Sequence, residues 1–327
     1  MTSLAMSPPV VMLTPADLLL PTEGALSGEQ RDWIGSLLSE HGFVLFRGFD
    51  IASDQRFHQV VESFGYANFR YADSFSNAVR TNRTERVFTA NEAPATVEIF
   101  LHHEMAQTLT FPSRLFFYCE QAATTGGATP ICRSDWALQT LAASQPEFIA
   151  RLKQQGVRYR NTMPSTADGG SGQGRSWRDT LSVATREEAE TKLSALGYRY
   201  SWLADNALSV QTPALPAVVT APDGVDVFFN QIVAAGAGWQ KRADDNDARL
   251  CYGDGSPLEP EVIDAAIAAC YQHTVDLEWQ TGDVALLDNY KVMHGRRPFK
   301  GTRRVLASLC SAVSRSALPN AERSSVG

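Results

Sequence analysis

The chain has 327 residues, 44% of them hydrophobic and 20% charged, with a formal net charge of −7. That length can bury a large core and that composition is ordinary for a globular protein. The acid excess leaves no basic face to displace counterions from phosphate, which argues against a nucleic-acid partner. No uninterrupted apolar run approaches the ~18 residues of a membrane-spanning helix.

Five scattered cysteines (Cys119, Cys132, Cys251, Cys270, Cys310) form no C-x-x-C pair. They read as reduced thiols in a cytoplasmic protein rather than as a disulfide or zinc framework. The start, "MTSLAMSPPVVMLTP", has no basic segment and is broken by prolines, unlike a signal peptide.

In chain order, "LSGEQRDWIGSLLSEHG" has helical spacing, opens at Ser27 and stops at Gly42. "FVLFRGF" follows directly as a buried strand. "VEIFLHHEM" and "RLFFYC" read as strands around a turn at Pro112. "TTGGATPI" is a loop leading into a strand, and "SDWALQTLAA" starts a helix capped by Ser134 or Asp135.

The segment 163–177, "MPSTADGGSGQGRSW", carries four glycines and reads as a disordered insertion or a lid. "TREEAETKLSALG" is a helix with a capping box at Thr185 and Glu188 and a stop at Gly197. "PAVVTAPDGVDVFFN" is a hairpin turning at Pro222–Gly224, and "TVDLEWQTGDVALLDN" with "RRVLASLCSAV" gives the last strand pair. The tail "LPNAERSSVG" has nothing to bury. No internal repeat or linker divides the chain, so 1–327 reads as one domain with its core at about 42–312. Strands dominate, which predicts a β-sandwich or barrel with helical decoration.

"LHHEM" places His102, His103 and Glu104 in a row. Composition alone supplies roughly one His-x-acid triplet, so the stretch needs company. On a strand, side chains alternate: His102 and Glu104 share one face and His103 takes the other. His294, between "GDVALLDNYKVM" and "GRRPFKGTRR", is the outstanding third ligand, while His41, His58 and His273 read as surface or structural residues.

Two histidines and one carboxylate with open positions suit non-haem iron, although zinc sites share these ligand types. Arg303 and Arg304 follow His294 by 9 and 10 residues, and a buried arginine there can clamp a dicarboxylate. Asp288 and Asn289 read as braces for the turn before His294.

"FRGF", "LHHEM", "LFFYC", "GGATPI", "VFFN", "YGDG", "WQTGDVALLDN" and "HGRRPFKGTRR" stand in one order from about Gly42 to Leu309. In this the chain resembles the TauD/TfdA-like dioxygenases, and within them the branch of the syringomycin-biosynthesis hydroxylase. The resemblance implies a double-stranded β-helix (jelly roll). It also implies Fe(II) held by His102, Glu104 and His294, with 2-oxoglutarate and O2 as cosubstrates, Thr129 in "GGATP" binding 2-oxoglutarate, and Arg304 gripping its far carboxylate.

That branch reads "LHNEMSY", so His103, Ala106 and Gln107 are departures. His103, Gln107 and Arg297 are candidate substrate-binding residues, with Arg296 equally able to bind substrate or cover the loop. Family halogenases lack the acidic ligand, so Glu104 favours hydroxylation, desaturation or cyclisation, with succinate and CO2 as coproducts.

The implied substrate is an amino acid or amino-acid-like intermediate of natural-product biosynthesis, free or on a peptidyl carrier protein. The alternatives are a catabolic oxygenase of a small sulfonate or other anion, and a non-catalytic sensor of 2-oxoglutarate. A homo-oligomer is compatible with the chain.

Overall fold

Strand Thr110–Gln121 is the spine of the molecule, and its side chains alternate between two apolar environments. Leu115, Phe117 and Cys119 face an inner core, whereas Phe116 and Tyr118 face an outer one. A strand buried on both faces shows a continuous apolar run, which is what "RLFFYC" displays.

The computed structural model describes residues 9–318 except 72–73, 77, 79, 91–92, 168–173 and 239–248. The spine lies in a six-stranded sheet in the order Val11–Leu13, Phe43–Phe46, Val284–Asp288, Thr110–Gln121, Arg304–Ser314, Phe88–Thr89. All pairs are antiparallel except the first. Strands 284–288 and 304–314 therefore flank the spine instead of pairing with each other, correcting the expected last strand pair.

A four-stranded antiparallel sheet, in the order Thr274–Leu277, Thr129–Arg133, Val292–Arg296, Ile99–His102, carries the chemistry. The inner core joins residues of both sheets, among them Phe43, Leu115, Leu287 and Leu309 with Ile131, Val292 and Leu277. This is the expected jelly roll: two sheets with one shared apolar interior.

Helices cover the outer faces. Gly28–His41 has a reciprocal capping box between Ser27 and Gln30 and ends at Gly42 with φ 81, as its sequence announces. It sets Ile34 and Leu38, together with Phe57, Val60 and Val61 of helix Asp54–Ser63, against Val44, Phe46 and Leu286. Each such fully buried side chain contributes roughly 1.5–3 kcal/mol.

On the second sheet, helices Ser134–Ser144, Pro146–Gln155 and Pro260–Gln272 cover Leu101, Cys132 and Met293. The first of these has no side-chain cap: Ser134 Oγ is spent on the carbonyls of Tyr290 and Lys291, and Asp135 on Arg133. Helix Arg186–Ala195 has the predicted capping box at Thr185 and Glu188, and hairpin strands Val219–Thr220 and Asp226–Val227 turn through Gly224 at φ 86.

Pro112 lies inside the spine strand, so the turn expected there sits earlier, at 103–109. The centre of the glycine-rich segment and nearly all of the C-terminal tail, readings that concerned a lid and a frayed end, lie outside the described residues. No helix among the described residues is long and apolar enough to cross a membrane.

Candidate active site

His102 ends its strand and His294 lies on the neighbouring one, and the two are direct register partners. Their rings sit 4.5 Å apart between centroids. Alternation sets both inward: Leu101 and Met293 face the helices behind the sheet, while Val292 joins the inner core. Gly295 makes the approach possible, because a Cβ there would fall 2.4 Å from the carbonyl oxygen of Ile99.

Glu104 comes from the turn that follows rather than from the strand itself. Met105 takes a left-handed φ of 57, which reverses the chain immediately after Glu104. A methionine there costs roughly 1–2 kcal/mol, and surrounding hydrogen bonds offset it. Asn289 Oδ1 accepts from the Glu104 N–H at 2.9 Å, and its Nδ2 donates to Glu104 O at 3.0 Å and Pro112 O at 2.7 Å. Arg315 donates to Ala106 O and Pro216 O, and Gln231 Nε2 donates to His103 O at 3.2 Å and to Gln107 Oε1.

The donor atoms of His102, Glu104 and His294 lie within 4.8 Å of one another. His102 Nδ1 donates to Phe100 O at 2.8 Å, which fixes the tautomer and leaves its Nε2 lone pair free for a metal. Burial, and then His102, pushes the His294 pKa well below the ordinary histidine range, so its ring is neutral, as a ligand must be. His294 Nε2 stands 3.7 Å from Glu104 Oε2, and buried His294 Nδ1 has no hydrogen-bond partner among the described residues. Two imidazoles and a carboxylate converging from one side fit a facial iron site.

A cavity opens onto these ligands, lined also by Arg80, Phe117, Thr129, Arg296, Arg303 and Val305. Thr129 Oγ1 accepts from Trp279 Nε1 at 2.8 Å, keeping its own proton for a ligand. Arg303 Nε donates to Gly127 O at 3.0 Å. Gly127 makes room for it, since a Cβ would lie 2.9 Å from Arg303 Cδ. Burial, and then neighbouring Arg296, pushes Arg303 down to about 10, a site that gains from an anion.

Several expected site residues lie elsewhere. Arg304 is 58% exposed and pairs with Glu120 at 2.9 Å on the outer side of the sheet, so the cavity arginine is Arg303 and not Arg304. Arg303 shares the inward phase of Val305, Ala307 and Leu309. Arg297 is held outside the cavity by Glu98 at 2.6 Å and Asp276 at 3.0 Å. Arg296 reaches the cavity and also anchors the carbonyls of Ala93, Pro94 and Val97 at 2.8 Å each.

His103 is fully buried on the far side of the turn, with Nδ1 2.7 Å from Asn289 O and Nε2 3.1 Å from Phe228 O. Burial drives its pKa down to about 3. Neither His103 nor Gln107 lines the cavity, so the structure does not support them as substrate contacts.

Arg80 and Trp279 are site residues that sequence reasoning missed. Arg80 Nη2 donates to Glu104 Oε1 at 2.9 Å, with both side chains only 7% exposed. Nothing in "NAVRTNRTERV" marks that arginine, because the contact depends on a loop fold and not on spacing.

The comparisons agree with this geometry. Over 305 residues the chain is 38% identical to a clavaminate synthase-like protein of Arabidopsis thaliana, covering 93% of this chain and 92% of that protein. Over 302 residues it is 31% identical to the dapdiamide synthesis protein DdaC of Enterobacter agglomerans, covering 88% and 87%. Among solved structures, PvcB of Pseudomonas aeruginosa superposes with a TM-score of 0.55 at 16% identity, covering 96% and 91% of the two chains, a likeness of fold. Residues 8–310 match the family described as "Taurine catabolism dioxygenase TauD, TfdA family", and the chain belongs to this family of Fe(II)- and 2-oxoglutarate-dependent dioxygenases.

Proposed function

We propose that this dioxygenase oxidises an aliphatic C–H bond of an amino acid or amino-acid-like intermediate in natural-product biosynthesis, most simply by hydroxylation. The observation that carries the reading is a single cavity in which the His102–Glu104–His294 cluster faces Arg303 and Thr129. Bound Fe(II) supplies the chemistry of oxygen activation.

The protein's own groups do the rest. Arg303 and the Thr129 hydroxyl hold the far carboxylate of 2-oxoglutarate, and Trp279 fixes the threonine. Phe117 and Val305 keep that wall of the cavity apolar. Glu104 takes the third ligand position, leaving no place there for a halide. DdaC is a dapdiamide synthesis protein, and PvcB is an oxygenase from an isonitrile synthetic pathway; both support a biosynthetic substrate. The placement in the syringomycin-hydroxylase branch is part of the same proposal, as is a substrate that is free or tethered to a carrier protein.

Anaerobic addition of Fe(II) and 2-oxoglutarate tests the assignment. A weak visible charge-transfer band is expected, retained in His103→Asn and lost in His294→Ala. A folded wild-type protein without the band would overturn the reading. Succinate formation with amino acids, against taurine and other sulfonates, then separates biosynthesis from the catabolic alternative that the family description raises.

A further inference from the structure

Among the described residues, three guanidinium groups line the cavity, Arg80, Arg296 and Arg303, against one carboxylate, Glu104. A divalent metal and dianionic 2-oxoglutarate cancel each other in charge, so the loaded cavity retains a positive surplus. Two arginines are accounted for: Arg303 faces the cosubstrate, and Arg296 is bonded to three main-chain carbonyls.

Arg80 is different. It touches the metal-ligating carboxylate itself, at Glu104 Oε1, and leaves Oε2 on the His294 side. Its guanidinium lies 4.7 Å over the Tyr71 ring and 5.2 Å over that of Phe88, so aromatic faces fix its plane. The Tyr71 hydroxyl in turn donates to Ala78 O at 2.8 Å and can accept from Ser76 Oγ, also at 2.8 Å. Buried Arg80 Nε has no hydrogen-bond partner among the described residues. As a clamp on Glu104 alone this arginine would work against the site, since a cation on a ligating carboxylate weakens it toward the metal. A rigid, desolvated fork with an unspent donor is instead suited to a planar or tetrahedral oxyanion.

We propose that Arg80 is the substrate anchor, binding one oxyanion group of a small free acid beside the metal. The inference rests on the dioxygenase reading above and narrows it. A carboxylate is the expected group, and a sulfonate shares the chemistry. The oxidised carbon then lies within a few bonds of that group. A substrate joined to a carrier through its only carboxylate would leave Arg80 without an anion, so a free acid is the substrate form.

The test uses the charge-transfer band of the anaerobic Fe(II)–2-oxoglutarate complex as a binding readout. Its absence in the wild type would defeat the dioxygenase reading and this inference with it, whereas failure of this inference alone leaves the band in place. Where the band forms, L-amino acids and small monocarboxylates are titrated beside their primary carboxamides and their sulfonate counterparts. At least one acid should shift the band while its amide does not, and a response confined to sulfonates would name the other oxyanion.

Arg80→Gln, which can still donate to Glu104, should keep the band but weaken that acid by roughly 10–100-fold. Arg80→Lys should lose less. The proposal is overturned if no acid shifts the band, if amides act as well as acids, or if Arg80→Gln binds the acid as tightly as wild type. Loss of the 2-oxoglutarate band itself in folded Arg80→Gln would also overturn it, because Arg80 would then serve the metal ligand. Where Arg80→Gln fails to fold, the acid–amide comparison on the wild type still tests for an oxyanion anchor, and Arg80→Lys tests whether that anchor is Arg80.

Discussion

His102 and His103 are identical residues one peptide apart with opposite employment. His102 spends one ring nitrogen on Phe100 O and keeps the other for the cavity. His103 has both nitrogens against carbonyls under the turn and no exposed surface. A metal ligand is a histidine with one nitrogen held and the other facing the cavity; a neutral histidine whose two nitrogens are both closed in by carbonyls, only one of which it can donate to, is a strut. The same contrast separates Arg303, which lines the cavity, from Arg304, which faces outward.

The sharpest way to break the contrast is to remove each histidine and titrate the apoprotein with Co2+. His294→Ala or His102→Ala removes a ligand outright and should weaken Co2+ by more than the roughly 100-fold that loss of a supporting group can cost. His103→Asn should stay within about tenfold, since it changes only the support. Comparable losses in the two classes would erase the distinction between ligand and strut.

Stability should respond in the reverse order. His103→Ala leaves a hole beside Phe229, whose ring centroid lies 4.6 Å away, and strips a partner from buried carbonyls. Urea unfolding should show a loss of about 2–4 kcal/mol. Asparagine restores a donor without the ring volume and should recover about half of it. An alanine variant as stable as wild type would show that the turn does not need the strut.

For the arginines, 2-oxoglutarate affinity is the measurement. Arg303→Gln should weaken it by roughly 10–100-fold, the worth of a charge-assisted bond to a carboxylate. Arg304→Gln should change it by less than about fivefold, since an exposed ion pair contributes ~0–1 kcal/mol. Equal effects would reassign the anchor.

How much of this was legible follows from the same residues. The helix at 28–41 was readable because its caps are local chemistry, Ser27 with Gln30 and then Gly42. The clustering of His102, Glu104 and His294 was readable from "LHHEM" and from the position of His294 on a strand that enters the same interior. The choice between Arg303 and Arg304 was not readable from pattern. Residues 305–310 are all buried, so their hydrophobicity has no period of two to fix the strand's phase. A register shift between Arg304 and Val305 adds to the ambiguity. Glu104 was brought to the right place by the wrong element, since positive φ at a methionine leaves no trace in composition. Arg80, Gln231 and Arg315 act across loops separated by tens to hundreds of residues, and only tertiary structure pairs them with the turn.

A third adjacent pair, Asp288 and Asn289, gives the finest test. The neutral Asn289 clamps both sides of the Glu104 peptide, while Asp288 accepts from Tyr290 N–H at 2.9 Å and pairs with Arg114 at 3.1 Å. Burial outweighs Arg114 and raises the Asp288 pKa above the ordinary carboxylate value. A raised native pKa means that the folded state holds this proton more tightly than the unfolded chain. Stability from that group is therefore present at low pH and lost as pH rises through the native value. Asp288→Asn keeps an acceptor for Tyr290 and removes the titration. Its melting temperature relative to wild type should then rise as pH climbs above the ordinary carboxylate value of about 4. Any fixed cost of the substitution cancels in that difference. A relative melting temperature that stays constant or falls would mean that the Arg114 pair outweighs burial. The charged member of the pair would then be as much a brace as its neutral neighbour.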